Sequence, residues 1–200
     1  MKLALVVEGH AEVQSVPLLV RRIVAQLIDA PLLELQKPHR LPRSQMVRAP
    51  DFQRAVQLAA RRVGDGGAVL VLLDADDDLG CKLGPQLKAV AEACLPKTIK
   101  VSVVVAQREF EAWFLAAATS LAGTLGLPSD FDVPKSAVEG IRGAKERLSS
   151  ALPHGYAETI DQPRLAATMN LSQARSAKSF DKLLRDLAEL LGATLPAQFA

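Results

Sequence analysis

The sequence predicts an α/β fold: a mostly parallel sheet flanked by helices, followed by an all-helical C-terminal extension. Over residues 1–106, short apolar runs rich in Val and Leu alternate with longer segments of helical periodicity. Beyond residue 106, only segments of helical periodicity recur. We therefore expect an α/β domain over residues 1–118 and a helical extension over residues 119–200 that packs on it.

The composition is that of a globular protein with a sizeable core, since 49% of the 200 residues are hydrophobic. The net charge of +2 says little about partners. Cys81 and Cys94 show no metal-binding spacing and suggest a reducing compartment. The first apolar run ends at Glu8, too soon for a signal peptide or a membrane helix. We expect a cytoplasmic protein with no membrane partner.

The elements of the first half follow from apolar periodicity and from helix-ending residues. Asp51 is a candidate N-cap, and Gly64 ends the helix that it begins. The predicted strands are residues 3–7, 32–35, 69–73 and 99–106. The predicted helices are residues 12–28, 51–63 and 85–94, with a loop at 80–85.

Amphipathic patterns predict three further helices in the second half, at residues 135–152, 162–169 and 179–191. Asp161 and Ser179 are the candidate N-caps of the last two. Gly192 is the expected stop of the final helix, because glycine readily adopts the left-handed conformation that ends helices.

Four carboxylates follow the buried strand at residues 69–73, namely Asp74, Asp76, Asp77 and Asp78. In an extended chain, Asp74 and Asp76 would share one face at roughly 6–7 Å. Their repulsion would amount to roughly 2–3 kcal/mol at an effective dielectric constant near 20. A divalent cation held by oxygen ligands would relieve it. The alternative is a solvated acidic turn.

Acidic residues also follow two other predicted strands. Glu8 comes directly after the first strand, and Glu12 lies one helical turn beyond it. Glu109 and Glu111 follow the fourth strand. The carboxyl ends of parallel strands meet at one edge, where open α/β sheets bind ligands. We therefore expect Mg²⁺ or Mn²⁺ on ligands from the set Glu8, Glu12, Asp74, Asp76, Glu109 and Glu111, with Glu8, Asp74 and Asp76 catalytic. For Glu12 and Glu111, stabilisation of a helix N-terminus remains an equal alternative.

Residues 37–62 carry seven Lys and Arg residues against a single acid, Asp51. Such an excess can contact phosphates, and we predict nucleic-acid contacts from Arg40, Arg43 and Arg48, with Arg108 as a further phosphate ligand. A solvated helix face is the alternative, since no aromatic residues interleave for base stacking. His10, beside Glu8, is a candidate for relaying a proton or ordering a phosphate, against a turn residue without a special role.

The residues resemble a known arrangement. Glu8-Gly9 after the first strand and Asp74-Ala75-Asp76 after the third resemble the signature of Toprim domains, which occur in topoisomerases, primases and the overcoming-lysogenization-defect (OLD) nucleases. A closer resemblance, over nearly the whole chain, is to the Toprim-like DUF4276 family. Its pattern is similar to the stretches 7–12 and 108–114 and to the late pairs Ala174-Arg175 and Ser179-Phe180. The resemblance implies a compact, Rossmann-like Toprim sheet that binds Mg²⁺ or a similar ion.

The expected function is a Mg²⁺-dependent nuclease or related phosphodiester chemistry on nucleic acid. OLD-type relatives often work with an ATPase, and this chain has no GxxxxGK[ST] loop. A separate ATPase of the ABC or AAA type is therefore the expected partner, in a bacterial defence system. The alternative is a non-catalytic Toprim-like module that binds metal, nucleic acid or a partner. A response-regulator-like phospho-acceptor is disfavoured because no lysine directly follows the fourth strand.

Overall fold

The computed structural model describes residues 1–28, 32–134 and 138–195. It confirms the α/β fold, with a parallel sheet, flanking helices and a helical C-terminal part. The strands are β1 (Lys2–Val7), β2 (Glu34–Leu35), β3 (His39–Arg40), β4 (Ala68–Asp74) and β5 (Lys100–Ala106). The helices between them are α1 (Glu12–Leu27), α2 (Arg43–Met46), α3 (Ala49–Val63) and α4 (Gly80–Cys94).

The helical part follows β5 and contains no strand among its described residues. It comprises α5 (Ala112–Ala116), α6 (Ala118–Leu121), α7 (Ala144–Ala151), α8 (Glu158–Thr168), α9 (Leu171–Ala174) and α10 (Lys178–Leu191). A single 3₁₀ turn spans Val138–Gly140. No helix in the described ranges is long and apolar enough to cross a membrane.

The strand order places the expected ligand site at the carboxyl ends of the neighbouring strands β1 and β4. The order is β2-β1-β4-β5, and β3 pairs with β1 beyond β2 on the same side. The chain first leaves β1 toward β2 and β3, and then crosses back through α3 to β4. Ligands of open α/β sheets bind at such a reversal, outside the carboxyl ends of the strands.

Two apolar layers sandwich the sheet. On one face, α3 and α4 cover Val6, Val69 and Val71. On the other, α1 and the helical part form one continuous core with Leu5 and Leu70. Burial on both faces explains why β4 is apolar throughout until it reaches Asp74. The domain boundary at residues 118/119 stays a prediction.

An aromatic cluster joins the sheet to the helical part. Trp113 and Phe180 are fully buried, with ring centroids 5.3 Å apart in an edge-on arrangement. Phe110 packs on Trp113 at 4.6 Å. The indole Nε1–H of Trp113 donates to Ser179 Oγ at 2.9 Å. This bond ties the start of α10 to α5.

Trp113→Ala should lower the free energy of unfolding by about 3–5 kcal/mol, because the cavity left in this rigid cluster cannot collapse. Urea unfolding followed by circular dichroism measures the loss. Trp113→Phe is the matched control, since it removes the bond to Ser179 but keeps an aromatic ring and therefore most of the buried volume. Equal losses in the two variants would contradict a packing role.

Helix α4 begins at Gly80, so the predicted loop at residues 80–85 is wrong. Glycines allow the helix to lie close against β5, which is the tertiary advantage that overrides their low helix propensity. A Cβ at Gly80 would lie 3.2 Å from Gln107 Oε1, and one at Gly84 would lie 3.4 Å from Val105 Cγ2. Pro85 is accommodated inside the helix.

Helix ends in the second half also differ from expectation. In the described part of the predicted helix 135–152, the α-helix begins only at Ala144, because Gly143 adopts a left-handed φ of +72° just before it. Residues 135–137 lie outside the described residues. Ser179 is not a cap, since α10 begins at Lys178. Asp161 lies inside α8 rather than before it, and its carboxylate accepts the Ala157 N–H at 2.8 Å. Gly192 ends α10 as predicted, with φ +64°.

One helix start in the first half also differs from expectation. Helix α3 begins at Ala49, so Asp51 lies inside the helix and is not its N-cap.

Candidate active site

The first two predicted site residues meet at the reversal point of the sheet. Glu8 follows β1, and Asp74 is the last residue of β4, the strand paired with β1. The backbone N–H of Asp74 donates to Glu8 Oε2 at 3.2 Å. The Asp74 carboxylate is 8% exposed, and its Oδ1 accepts the Phe110 N–H at 2.8 Å. Parallel pairing thus brings these two carboxylates together, as predicted.

Glu12 joins them from the first turn of α1. It is 4% exposed, and its Oε2 accepts a hydrogen bond from the backbone N–H of Gly9. A Cβ at position 9 would lie 3.0 Å from that same oxygen. The turn after β1 therefore favours glycine at position 9, because the Glu12 carboxylate folds back over it.

Glu111 is the most deeply buried acid of the group, at 0% exposure. Its Oε1 accepts hydrogen bonds from Tyr156 Oη at 2.9 Å and from Gln162 Nε2 at 3.1 Å. Ser15 Oγ donates to Gln162 Oε1 at 2.5 Å, which orients that amide. Glu111 Oε2 is buried and has no hydrogen-bond partner among the described residues. A buried carboxylate oxygen without a partner carries a desolvation penalty that a bound cation would remove.

Glu8, Glu12, Asp74 and Glu111 form what we call the carboxylate cluster. Burial raises the pKa of Glu8, although the Asp74 N–H partly offsets it. Burial and the neighbouring charges of Glu8 and Glu111 raise the pKa of Glu12 to about 7. Burial, with repulsion from Glu111 and Glu12, raises the pKa of Asp74 well above its usual range. The pKa of Glu111 is raised by burial as well.

Lys145, which the sequence reasoning missed, is the cation that faces the carboxylate cluster. Its Nζ lies 4.0 Å from Glu111 Oε2 and 3.5 Å from Glu158 Oε1. Burial lowers the pKa of Lys145, but the charges of Glu111 and Asp74 outweigh this and raise it. One ammonium group cannot neutralise four carboxylates, so the cluster favours either protons or further positive charge.

The acidic turn after β4 does not continue the strand. Asp76 adopts a left-handed φ of +49°, and its N–H donates to the carbonyl oxygen of Arg108 at 2.9 Å. Asp74 is therefore buried while the Asp76 side chain is 59% exposed. The expected shared face of an extended chain is wrong for this pair, although the charge of Asp76 still raises the pKa of Glu8.

Arg43 holds this turn in place from α2. Its guanidinium donates to the carbonyl oxygen of Asp74 at 2.6 Å and forms an ion pair with Asp78. Its Nε lies 3.9 Å from Asp76 Oδ2. The charge of Arg43 also lowers the pKa of Glu8. The predicted nucleic-acid contact of Arg43 stays a prediction, and in this structure its donors serve the acidic turn.

The other predicted phosphate contacts are dispersed. Arg108 donates to Asp77 Oδ1 at 3.0 Å, and its φ of +66° is left-handed. Arg48 forms an ion pair with Asp51 at 3.4 Å. Arg40, next to Val7 on the edge strand, has a buried Nε without a hydrogen-bond partner in the described part of the chain. His10 is exposed on the turn after β1.

Glu109 is not brought into the carboxylate cluster. Its two carboxylate oxygens accept the backbone N–H groups of Gly143 at 3.2 Å and Lys145 at 3.0 Å. These are unsatisfied donors of the first turn of α7, and a carboxylate there is favoured by both hydrogen bonding and the helix dipole. Glu109 thus caps the helix that carries Lys145.

Glu109→Ala should lower the free energy of unfolding by about 1–2 kcal/mol, because the first turn of α7 loses its cap. Thermal and urea unfolding measure this loss. Glu109→Gln retains an acceptor oxygen and should lose less. A Glu109→Ala protein as stable as the wild type would contradict the capping role.

The carboxylate cluster offers oxygen donors of the kind that bind a divalent metal ion, but the described residues do not arrange these donors into a metal site. Carboxylate oxygens are the ligands of Mg²⁺ and Mn²⁺, and Glu111 Oε2, which accepts no hydrogen bond from the described residues, supplies one that is already desolvated. Within residues 1–28, 32–134 and 138–195, however, no group of three or more His, Cys, Asp or Glu side chains is arranged to hold a metal ion. Binding would require side chains such as Glu8 and Glu12 to turn from their backbone donors.

These features define a class of protein: an α/β protein with a buried carboxylate cluster at the reversal point of a parallel sheet. The family model described as a domain of unknown function, DUF4276, matches residues 7–188, and the chain belongs to this family. The matched range contains the carboxylate cluster and Lys145. Comparison with curated proteins and with solved structures finds no match.

Proposed function

We propose that this protein catalyses Mg²⁺- or Mn²⁺-dependent phosphodiester cleavage on nucleic acid, as a nuclease. The observation that carries the proposal is the convergence of Glu8, Glu12, Asp74 and Glu111 at one sheet edge, where the charges of Lys145 and Arg43 act on them. Burying Glu12, Asp74 and Glu111 beside the half-buried Glu8, with few positive charges to offset them, destabilises the fold, so the arrangement is better explained by a ligand than by packing.

Glu8, Asp74 and the exposed Asp76 are the residues that would hold the ion, and the buried Glu12 and Glu111 belong to the same cluster. A bound divalent ion would supply Lewis-acid polarisation of a phosphodiester and a more acidic water. Lys145 offsets part of the negative charge of the cluster in the absence of the ion. Tyr156 and Gln162 hold Glu111 in a fixed orientation through its Oε1.

Removing divalent metal tests the proposal directly. Purified protein is incubated with single-stranded DNA, duplex DNA and RNA in Mg²⁺, in Mn²⁺ or in EDTA, and products are separated on denaturing gels. We expect cleavage of at least one substrate with Mg²⁺ or Mn²⁺, complete loss in EDTA, and recovery on adding excess metal. Cleavage that resists EDTA, or no cleavage of any substrate, contradicts the proposal.

A second candidate function is a non-catalytic module that binds metal, nucleic acid or a partner protein. It is favoured by one observation, namely that no metal-ligand group is preassembled among the described residues. Calorimetric titration with Mn²⁺ distinguishes these two candidate functions from a carboxylate cluster that has only a structural role. Micromolar binding without cleavage of any nucleic acid would support the binding module.

The relationship to Toprim domains and OLD nucleases, the separate ATPase of the ABC or AAA type and the role in bacterial defence belong to the same proposal. They are supported by the resemblance of Glu8-Gly9 and Asp74-Ala75-Asp76 to the Toprim signature. A cytoplasmic location is likewise proposed. Co-expression with the product of a neighbouring ATPase gene, followed by affinity purification, tests the pairing.

A further inference from the structure

Apart from Arg61, the basic residues from position 37 to position 62 fall into two groups in the structure. Arg43 pairs with Asp78, and Arg48 and Arg54 share the carboxylate of Asp51, so these three already have acidic partners within the fold. Lys37, Arg40 and Arg62 form no ion pair with any carboxylate in the described ranges. We call these last three the basic strip.

A bulge in the edge strand creates this strip. Leu35 pairs with Leu3 and His39 with Val6, so the edge strand has three residues where β1 has two. The extra residue interrupts the ladder around Pro38, and Lys37 is exposed there. Bulges and prolines of this kind protect a sheet edge from pairing with another strand.

The side chains of the strip lie along the same edge. The Arg62 guanidinium, from the last turn of α3, donates to the carbonyl oxygen of Lys37 at 3.2 Å. Its charge also contributes to lowering the pKa of the half-buried His39, after burial itself.

Arg40 connects the strip to the carboxylate cluster. It pairs in register with Val7, the residue before Glu8, at the carboxyl edge of the sheet. It is half-buried, and its Nε is shielded from solvent without an acceptor in the described part of the chain. From Arg40 to Lys37 the edge strand runs about 10 Å at roughly 3.3 Å per residue, enough for two successive phosphates of a single strand.

We infer that the basic strip of Lys37, Arg40 and Arg62 binds the sugar–phosphate backbone of a nucleic-acid strand that leaves the carboxylate cluster along the β2–β3 edge. Guanidinium and ammonium groups without acid partners are suited to phosphate oxygens. The inference rests on the proposed function for the identity of the ligand, but binding along the strip does not require metal or cleavage.

The test uses full-length protein carrying Asp74→Asn, in EDTA, so that no substrate is cleaved. Fluorescein-labelled 12-nucleotide single strands of DNA and RNA are titrated at several NaCl concentrations, and anisotropy gives Kd. The test variant adds Lys37→Glu and Arg62→Glu. The control adds Lys88→Glu and Lys97→Glu, an equal charge change near β5 at the opposite edge. A third variant adds Arg40→Gln, and circular dichroism confirms that each folds.

We expect the strip variant to weaken binding at least tenfold at 50 mM NaCl and to flatten the slope of log Kd against log[NaCl] by about 1.4, at ~0.7 for each lost phosphate contact on a single strand. Arg40→Gln should flatten it by about 0.7. The control should match the parent, and a difference between DNA and RNA would identify the preferred backbone.

Unchanged Kd and slope in the strip variant, or an equal loss in the control, would overturn the inference. Equal competition by polyglutamate and by unlabelled oligonucleotide would overturn it too, because it would show only general anion binding. If the wild-type protein cleaves no nucleic acid while the strip still binds it, only the proposed nuclease activity is contradicted, and the inference about the strip stands.

Discussion

Asp74→Asn should lower the rate of metal-dependent phosphodiester cleavage by at least about a hundredfold, the scale expected when a metal ligand and its charge are lost together. The asparagine keeps the shape of the side chain and an oxygen that can accept the Phe110 N–H. The substitution therefore removes charge and ion affinity without removing the anchor of the strand end. Initial rates of oligonucleotide cleavage in Mg²⁺ measure the loss.

Asp65→Asn is the matched control for this substitution. Asp65 precedes β4 and therefore lies at the amino ends of the strands, away from the carboxylate cluster. There it accepts a hydrogen bond from Thr98 Oγ1 at 2.8 Å. Its variant should cleave at the wild-type rate. If Asp74→Asn retains more than a tenth of the activity while Asp65→Asn is normal, Asp74 does not act in the reaction.

The second large effect concerns stability and pH. Without divalent metal, the free energy of unfolding should fall as the pH rises from about 4.5 to about 7, by about 3 kcal/mol for Glu12 alone. Burial and neighbouring carboxylates raise the folded-state pKa of Glu12 above its unfolded value, so the native state holds the extra proton in this window. The stabilisation is complete below the window and is lost above it. Urea unfolding at pH 5 and pH 8 measures the difference.

Glu12→Gln isolates this contribution, because it keeps an acceptor for the Gly9 N–H and removes the charge. We expect the variant to be more stable than the wild type at pH 8, and most of this difference should be gone at pH 5. Saturating Mn²⁺ should reduce the difference in free energy of unfolding between the variant and the wild type at pH 8, since a bound cation offsets the charge of the carboxylates. If the free energies of unfolding of the two proteins change with pH in parallel, the ionisation of Glu12 does not destabilise the folded state.

The sequence predicted the parts of the site that local patterns and parallel topology determine. β1, β4 and β5 are predominantly apolar runs, and any parallel pairing of them brings Glu8 and Asp74 to one edge. Glu12 follows from helical spacing after Glu8. These placements need no knowledge of the helical part, and the structure brings all three together.

The remaining features depend on contacts between distant segments. Lys145, Tyr156 and Gln162 carry no signal in sequence spacing, because they face Glu111 only after α7 and α8 pack on the sheet. The left-handed turn at Asp76 depends on a bond to the Arg108 carbonyl oxygen.

The two acids after β5 show why a motif alone does not assign a role. Glu109 and Glu111 are two residues apart and look equivalent in the sequence. Glu109 is taken by the amino end of α7, whereas Glu111 is buried in the cluster. The difference is set by where α7 begins, and Gly143 determines that start through its left-handed conformation.

The most direct test of a cation site at the carboxylate cluster is a crystal soaked in Mn²⁺ and measured at a wavelength where manganese scatters anomalously. We predict an anomalous peak within about 2.5 Å of carboxylate oxygens of both Glu8 and Asp74, with Lys145 displaced from Glu111. A crystal with full Mn²⁺ soaking but no peak there, or a peak only on exposed acids elsewhere, would contradict the account.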